Sequence, residues 1–80
     1  MEKLYVQRRA LVDRLLKERP ICEYEPTHKS EVVHEIQMRS HGGDILNPDN
    51  CRALCRHHHR YVHDHPEESY QQGWLQRRFE

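Results

Sequence analysis

Long runs of apolar residues are missing from this sequence of 80 residues. A membrane-spanning helix needs roughly 20 consecutive apolar residues, and a secretory signal peptide needs an apolar centre. We therefore expect neither a membrane segment nor a secretion signal. Hydrophobic residues are scarce in general, at 35% against 32% charged residues. A chain of this size buries a limited core, so we expect a further stabilising element such as a metal ion or disulfides.

Cysteine is also scarce, with an odd count of three. An odd count argues against a framework made only of disulfides. Histidine, by contrast, occurs eight times, which is far above its ordinary share. Cysteine with abundant histidine is typical of zinc ligation in a reducing compartment. The composition therefore predicts metal binding.

An excess of positive charge is missing as well, because the formal net charge is zero. Proteins that bind nucleic acids are usually more basic. The zero hides a gradient: residues 1–20 carry six basic and three acidic side chains, residues 21–50 carry two and six, and residues 51–80 carry five and four. The basic ends could still hold phosphates, so charge alone decides little.

Leucines recur at helical spacing near the start of the chain, which predicts a helix over residues 1–19. Pro20 ends this helix. Its other face carries arginines, among them Arg8 and Arg9. These arginines form either a solvated surface or an arm that contacts phosphates.

Two short strands are predicted next. The segment Glu31–Met38 is rich in β-branched and apolar residues, which favours a strand. Gly42 and Gly43 mark a turn, and Ile45–Leu46 is short and apolar enough to form a return strand.

A second helix is predicted over about residues 51–63, with Asp49 or Asn50 capping its free N–H groups. A C-terminal extension over residues 64–80 contains one more short helix. The order of these elements predicts a single small α+β domain with a ββα unit at its centre.

The second helix is predicted to have two faces of different chemistry. Two histidines four residues apart can chelate one metal ion from one side. That face carries His59 and His63 together with Arg52 and Arg56, which could clamp phosphates. The opposite face carries possible zinc ligands, namely Cys51, Cys55 and His58.

Several short motifs occur together in the centre of the chain. They are His34-Glu35-Ile36, Ser40, Gly42-Gly43, Pro48-Asp49-Asn50 and Leu54-Cys55-Arg56-His57-His58-His59. In this combination residues 21–63 resemble the HNH endonuclease family. The last motif looks like the family's Leu-Cys-x-x-Cys-His, with His58 in place of the second cysteine.

The resemblance implies a ββα-metal core, also called a His-Me finger, that hydrolyses nucleic-acid phosphodiesters with a divalent metal ion such as Mg²⁺, Mn²⁺, Ni²⁺ or Zn²⁺. By the family pattern, His34, His59 and His63 hold the catalytic ion. Asn50 fixes the loop and the orientation of the catalytic side chain. Glu35 occupies the slot of the general base.

The identity of that base has alternatives, because the family has histidine where this chain has Glu35. A carboxylate is a weaker base than histidine unless its surroundings raise its pKa. A second alignment puts His34 in the base slot and Val33 in the ligand slot, but valine cannot bind a metal ion. His41, in the loop, is a third candidate.

A structural zinc ion is also implied, because zinc-bearing family members place two Cys-x-x-Cys knuckles around the core. Here the ligands would be Cys22, Cys55 and His58, with His28 or Cys51 completing the set.

The compact size is similar to small HNH proteins encoded by tailed phages. This similarity implies DNA as the substrate, the phage terminase as a partner, and the cytoplasm of a bacterial host as the location. The alternative function is a non-catalytic zinc module that binds nucleic acid or a protein. Such a module would need Cys22, Cys55 and His58 but not His34, Glu35 or Asn50.

Overall fold

A computed structural model describes residues 3–78, so the ends of the expected ranges, residues 1–2 and 79–80, lie outside it. The described chain is a small α+β structure with a two-stranded antiparallel sheet. Its helices and strands are α1 (Leu4–Glu18), β1 (Val32–Glu35), β2 (Cys51–Leu54), α2 (Arg56–Asp64) and α3 (Pro66–Gln72). Within residues 3–78, no helix is long and apolar enough to cross a membrane.

The two strands pair so that His34 is opposite Arg52 and Glu35 is opposite Cys51. Because side chains alternate along a strand and directly opposed residues share a face, His34 and Glu35 point to opposite sides of the sheet. The His34 side packs against α2, where Leu54 of β2 meets Val62. The Glu35 side faces α1.

The predicted return strand and the predicted start of the second helix were wrong. The return strand is Cys51–Leu54 rather than Ile45–Leu46, and α2 begins at Arg56 rather than near residue 51. Residues Pro48–Asn50 form a 3₁₀ turn in which the Asn47 side chain accepts a hydrogen bond from the Asp49 N–H. The chain therefore leaves this turn extended and pairs with β1, and tertiary pairing overrides the helical tendency of the segment.

The first strand is also shorter than the predicted Glu31–Met38, because the chain turns after Ile36 into a 3₁₀ turn over Arg39–His41. Gly43 packs so closely on the preceding backbone that a Cβ there would lie 1.8 Å from the Gln37 carbonyl oxygen. Only glycine fits at that position.

The core consists of two clusters on opposite faces of the sheet. The cluster toward α2 and α3 contains Cys22, Leu54, Cys55, Val62 and Leu75. The cluster toward α1 contains Leu11, Leu15 and Cys51, with Val33 packed against them. Two of the leucines that predicted the first helix are therefore the ones it buries.

Candidate metal centres

Three imidazoles converge between the sheet and α2. His34 is fully buried on β1 at 1% exposure, and its ring centroid lies 5.3 Å from those of both His59 and His63. The His59 and His63 rings, on successive turns of α2, are 4.9 Å apart. The ligand atoms of the three residues all lie within 4.8 Å of one another. This group could hold a metal ion.

The protonation state of these histidines suits metal binding. Burial lowers the pKa of His34 to about 4, against the opposing effect of its hydrogen bond to the Trp74 carbonyl. Burial, followed by the nearby His63, also lowers the pKa of His59. Both rings are therefore neutral at pH 7, and a neutral imidazole has the lone pair that a metal ion requires.

The ring orientation of His34 is fixed by the backbone. Its Nε2 lies 2.5 Å from the Trp74 carbonyl oxygen. Because a carbonyl can only accept, Nε2 must carry the proton, and Nδ1 is left with the lone pair. Metal-binding histidines in proteins usually have their second nitrogen tied in this way.

The Asn50 side chain forms hydrogen bonds with the backbone of the loop that follows β1. Its Oδ1 accepts from the Gln37 N–H at 2.8 Å. Its Nδ2 donates to the carbonyl oxygens of Gln37 at 2.9 Å and Asp44 at 3.1 Å. One amide side chain thus ties both ends of the loop. The helix cap expected at Asp49 or Asn50 is instead supplied by Cys55, whose Sγ accepts from the His58 N–H.

Glu35 is held from the α1 side. Its Oε1 lies 3.2 Å from Nη2 of Arg8, and the same guanidinium donates to the carbonyl oxygens of Ile45 at 2.7 Å and Val33 at 3.4 Å. Burial is the main effect on the pKa of both His34 and His59 and lowers it, and the charge of Glu35 acts in the opposite direction and raises it. The carboxylate is therefore electrostatically linked to the histidine group although it points toward the other side of the sheet.

Two of the predicted phosphate contacts need correction. Arg8 points inward, with its side chain only 15% exposed. Arg52 lies in β2 and not on the helix face of His59 and His63, and its Nη1 donates to the carbonyl oxygens of Asp49 and Cys51. The arithmetic that placed it there assumed a helix in a segment that forms a strand.

The other two predicted phosphate contacts are exposed. Arg9 lies on the outer face of α1. Arg56 begins α2 and forms an exposed ion pair with Glu31, with Nε 3.4 Å from Oε2.

A second group lies on the other side of α2. Cys22 and Cys55 are buried free thiols at 1% and 2% exposure. His58 Nδ1 lies 3.1 Å from the Cys55 sulfur. The ligand atoms of the three residues lie within 4.8 Å of one another. This group could also hold a metal ion.

Each of the two sulfurs accepts a hydrogen bond from a backbone N–H. The Glu25 N–H donates to Cys22 Sγ and the His58 N–H donates to Cys55 Sγ, each at 3.4 Å. Such bonds stabilise a thiolate. Burial raises the pKa of the Cys55 thiol, while the His58 N–H opposes that rise. Burial lowers the pKa of His58, which keeps its ring neutral.

Neither expected fourth ligand joins this group. Cys51 lies on the α1 face of the sheet with Leu11 and Leu15, so the helix face that placed it beside Cys55 was wrong. His28 is exposed, and its ring centroid is 5.9 Å from that of His58. Within residues 3–78, the close ligand set here is Cys22, Cys55 and His58.

Sequence reasoning missed three contributors to these centres. The Trp74 carbonyl belongs to the backbone and leaves no signal in the sequence. The Arg8 contact with Glu35 joins a helix to a strand across 27 residues of sequence. From the sequence alone, an arginine on a helix face is predicted to be exposed. Tyr24, stacked on His58 at 4.6 Å, gave no signal either.

Comparison with protein-family models, with curated proteins and with solved structures finds no match for this chain.

Proposed function

We propose that this chain is a metal-dependent endonuclease of the HNH type, built on a ββα-metal core, that hydrolyses DNA phosphodiester bonds. The observation that carries the proposal is the convergence of His34 from β1 with His59 and His63 from α2. A strand histidine meeting two helical histidines one turn apart is the ligand geometry that the sequence motifs imply.

The three imidazoles fit a divalent ion. An ion bound at roughly 2 Å by each nitrogen needs those nitrogens about 3–4 Å apart, and the ligand nitrogens of the three residues lie within 4.8 Å of one another. His34 and His59 are neutral, and His34 has one defined lone pair. A bound divalent ion supplies positive charge where negative charge develops on the phosphate and the leaving oxygen.

The remaining chemistry falls to side chains of this chain. In hydrolysis a water oxygen bonds to phosphorus, the bond from phosphorus to the leaving 3′ oxygen breaks, and a base takes the proton of the water. His34 has no nitrogen free for that role, because Nε2 donates to Trp74 and Nδ1 would hold the ion. Two side chains remain as candidates for the base: Glu35, whose charge acts on His34 and His59, and His41 in the loop after β1.

Asn50 and the exposed arginines have supporting roles in this proposal. Asn50 ties the loop after β1 at Gln37 and Asp44, so the end of β1 that carries His34 and Glu35 keeps one conformation. Arg9 and Arg56 are exposed and available for phosphates of the DNA backbone, which generally fix the register of a bound duplex.

The second group is proposed to be a structural zinc site. Two buried thiols and an imidazole are zinc ligands, and the two N–H···S bonds favour the thiolate form that zinc needs. Because Cys55 and His58 begin the helix that carries His59 and His63, zinc there would hold α2 against the Cys22 loop. Phage origin, cooperation with a terminase and a bacterial cytoplasm remain proposals from the motif resemblance.

The test replaces His59 with alanine and uses His57→Ala as its matched control. His57 is exposed on the same helix and belongs to neither ligand group. We expect His59→Ala to lower plasmid nicking with Mg²⁺, Mn²⁺ or Ni²⁺ by at least about 100-fold, while zinc content stays unchanged. His57→Ala should cut within about threefold of the parent. Equal cutting by both variants would show that the ion lies elsewhere.

The rival function is a non-catalytic zinc module, and one observation favours it. Glu35 points to the α1 side of the sheet, and Arg8 binds it there. The rival predicts DNA or protein binding without cutting under any ion. In the nuclease, Glu35→Gln should lower the single-turnover rate by about 100-fold or more. If His41→Ala has that effect and Glu35→Gln does not, His41 is the base.

A further inference from the structure

The C-terminal segment, defined as residues 74–77, is hydrogen-bonded to the two residues that follow β1. The Gln76 N–H donates to the Ile36 carbonyl at 2.8 Å, directly beyond the end of β1. The Gln37 side chain donates to the Arg77 carbonyl at 3.0 Å. These two bonds attach the segment just past the end of the strand that carries His34.

The docking is reinforced from the core. Leu75 is 5% exposed and belongs to the cluster of Leu54 and Val62. The Trp74 ring lies 4.9 Å from the Tyr24 ring. Helix α3 ends at Gly73, whose left-handed conformation at φ 85° turns the chain toward β1, and glycine adopts that conformation without cost.

This docking brings a main-chain acceptor to a buried histidine. The Trp74 carbonyl oxygen lies 2.5 Å from His34 Nε2. Leu75, the next residue, is buried in the core, and Gln76 is bonded to Ile36, the residue after β1. The carbonyl therefore cannot move without undocking the segment.

We propose that the C-terminal segment is a positioning element of the histidine centre, with the Trp74 carbonyl holding the His34 ring in its metal-binding orientation. This inference rests on the metal site of the proposed function, and it adds a partner from outside the ββα unit. A hydrogen bond to the second nitrogen fixes the tautomer and the rotation of a metal-binding imidazole. Loss of such a partner typically weakens metal affinity by about 10- to 100-fold.

The first test uses the unaltered protein loaded with zinc only. Nitrogen-15 NMR of the His34 ring should show one tautomer, with the proton on Nε2 and with that proton protected from exchange with water. A His34 ring that carries its proton on Nδ1, or whose Nε2 proton exchanges as fast as that of exposed His57, would overturn the proposal.

The second test undocks the segment with Gln76→Pro, which deletes the N–H that bonds to Ile36. The matched control is Gln76→Ala, which keeps that N–H. We expect Gln76→Pro to weaken Ni²⁺ binding, measured by titration calorimetry on the zinc-loaded protein, by about 10- to 100-fold. Gln76→Ala should stay within about threefold. A folded Gln76→Pro variant that binds Ni²⁺ as tightly as the control would refute the positioning role.

A milder variant covers the case in which Gln76→Pro fails to fold. Gln37→Ala removes one side-chain bond to the segment, and it should speed exchange of the His34 Nε2 proton by at least about threefold with zinc content unchanged. Exchange at the parental rate would count against the proposal. If the parent binds Ni²⁺ at the histidines yet cuts no DNA, the nuclease assignment fails and the positioning role stands. If the parent cuts DNA and both variants keep parental Ni²⁺ affinity and exchange, only the positioning role fails.

Discussion

His34 is the residue on which the histidine centre depends. It is the one imidazole of the three that is fully buried. Its Nε2 is bonded to the Trp74 carbonyl, and its ring lies beside the rings of His59 and His63. Burial makes its charged form unfavourable, which lowers its pKa to about 4. The residue therefore contributes differently to stability at neutral and at acidic pH.

Acidification should destabilise the protein through this residue. Between pH 6.5 and 4, His34 is protonated in the unfolded chain but stays neutral in the folded chain. The contribution of His34 to the free energy of unfolding is therefore full above the unfolded pKa and falls as the pH drops. We expect this effect to cost about 2 kcal/mol between pH 8 and pH 5. Urea unfolding of the zinc-loaded protein without other ions should show it, and His34→Gln should lose less stability over the same range. An equal loss in both proteins would contradict the assignment.

At the scale of elements, helix α1 is attached to the sheet by polar contacts as well as by leucines. Arg8 reaches Glu35, Val33 and Ile45, and Arg19 donates to the Cys51 carbonyl at 2.8 Å. These contacts join the helix to β1, to β2 and to the segment before β2. The helix therefore supports the strand that carries His34 and Glu35.

Arg8 and its neighbour Arg9 should separate a structural role from the proposed DNA binding. Arg8→Met leaves Glu35 and two carbonyls without their donor, so we expect the free energy of unfolding to fall by about 2–3 kcal/mol. Arg9→Met, on the exposed face, should change it by less than about 0.5 kcal/mol. Only Arg9→Met should reduce the salt dependence of DNA affinity, by about one unit of slope. A weaker salt dependence of DNA affinity in a folded Arg8→Met protein would show that Arg8 contacts DNA phosphates.

At the scale of the whole molecule, α2 separates two candidate metal centres of different chemistry. One group is sulfur-rich and buried with the core of Cys22, Leu54 and Val62. The other contains only imidazoles, and His63 within it is exposed. A buried site with thiolate ligands suits a structural ion, and a site that remains accessible suits an ion that meets a substrate.

Two cysteines on opposite faces of the sheet test this division. Cys55→Ala should lower the zinc content by one ion per chain and remove the stabilisation that this ion gives, seen as a smaller response of Tm to a chelator. Cys51→Ala removes a buried thiol from the α1 cluster and should keep one zinc per chain, at a cost of about 1 kcal/mol. Metal analysis of both variants measures the difference. Zinc loss in Cys51→Ala, with Cys55→Ala still loaded, would reverse the two roles.

The sequence by itself determined the α+β class, the first helix and the members of the histidine group, which are His34 on a strand and the pair His59 and His63 on a helix. Leucine spacing and Pro20 define α1 locally, and His59 and His63 lie one turn apart on any helix that includes them. The spacing of Cys55 and His58 likewise holds at a helix start. These features depend on neighbours in the chain, which is why they can be read without a structure.

Only the tertiary structure decided which segment forms β2, which arginines face inward and what holds His34. Cys51–Leu54 is a strand because β1 offers its backbone groups, although its own residues also suit a helix. For that reason Cys51 and Arg52 lie in a strand and not on the helix where the sequence predicted them. Arg8 faces inward because of contacts with residues that are distant in sequence. The Trp74 carbonyl has no side-chain signature, and its place beside His34 depends on how the C-terminal segment docks on β1.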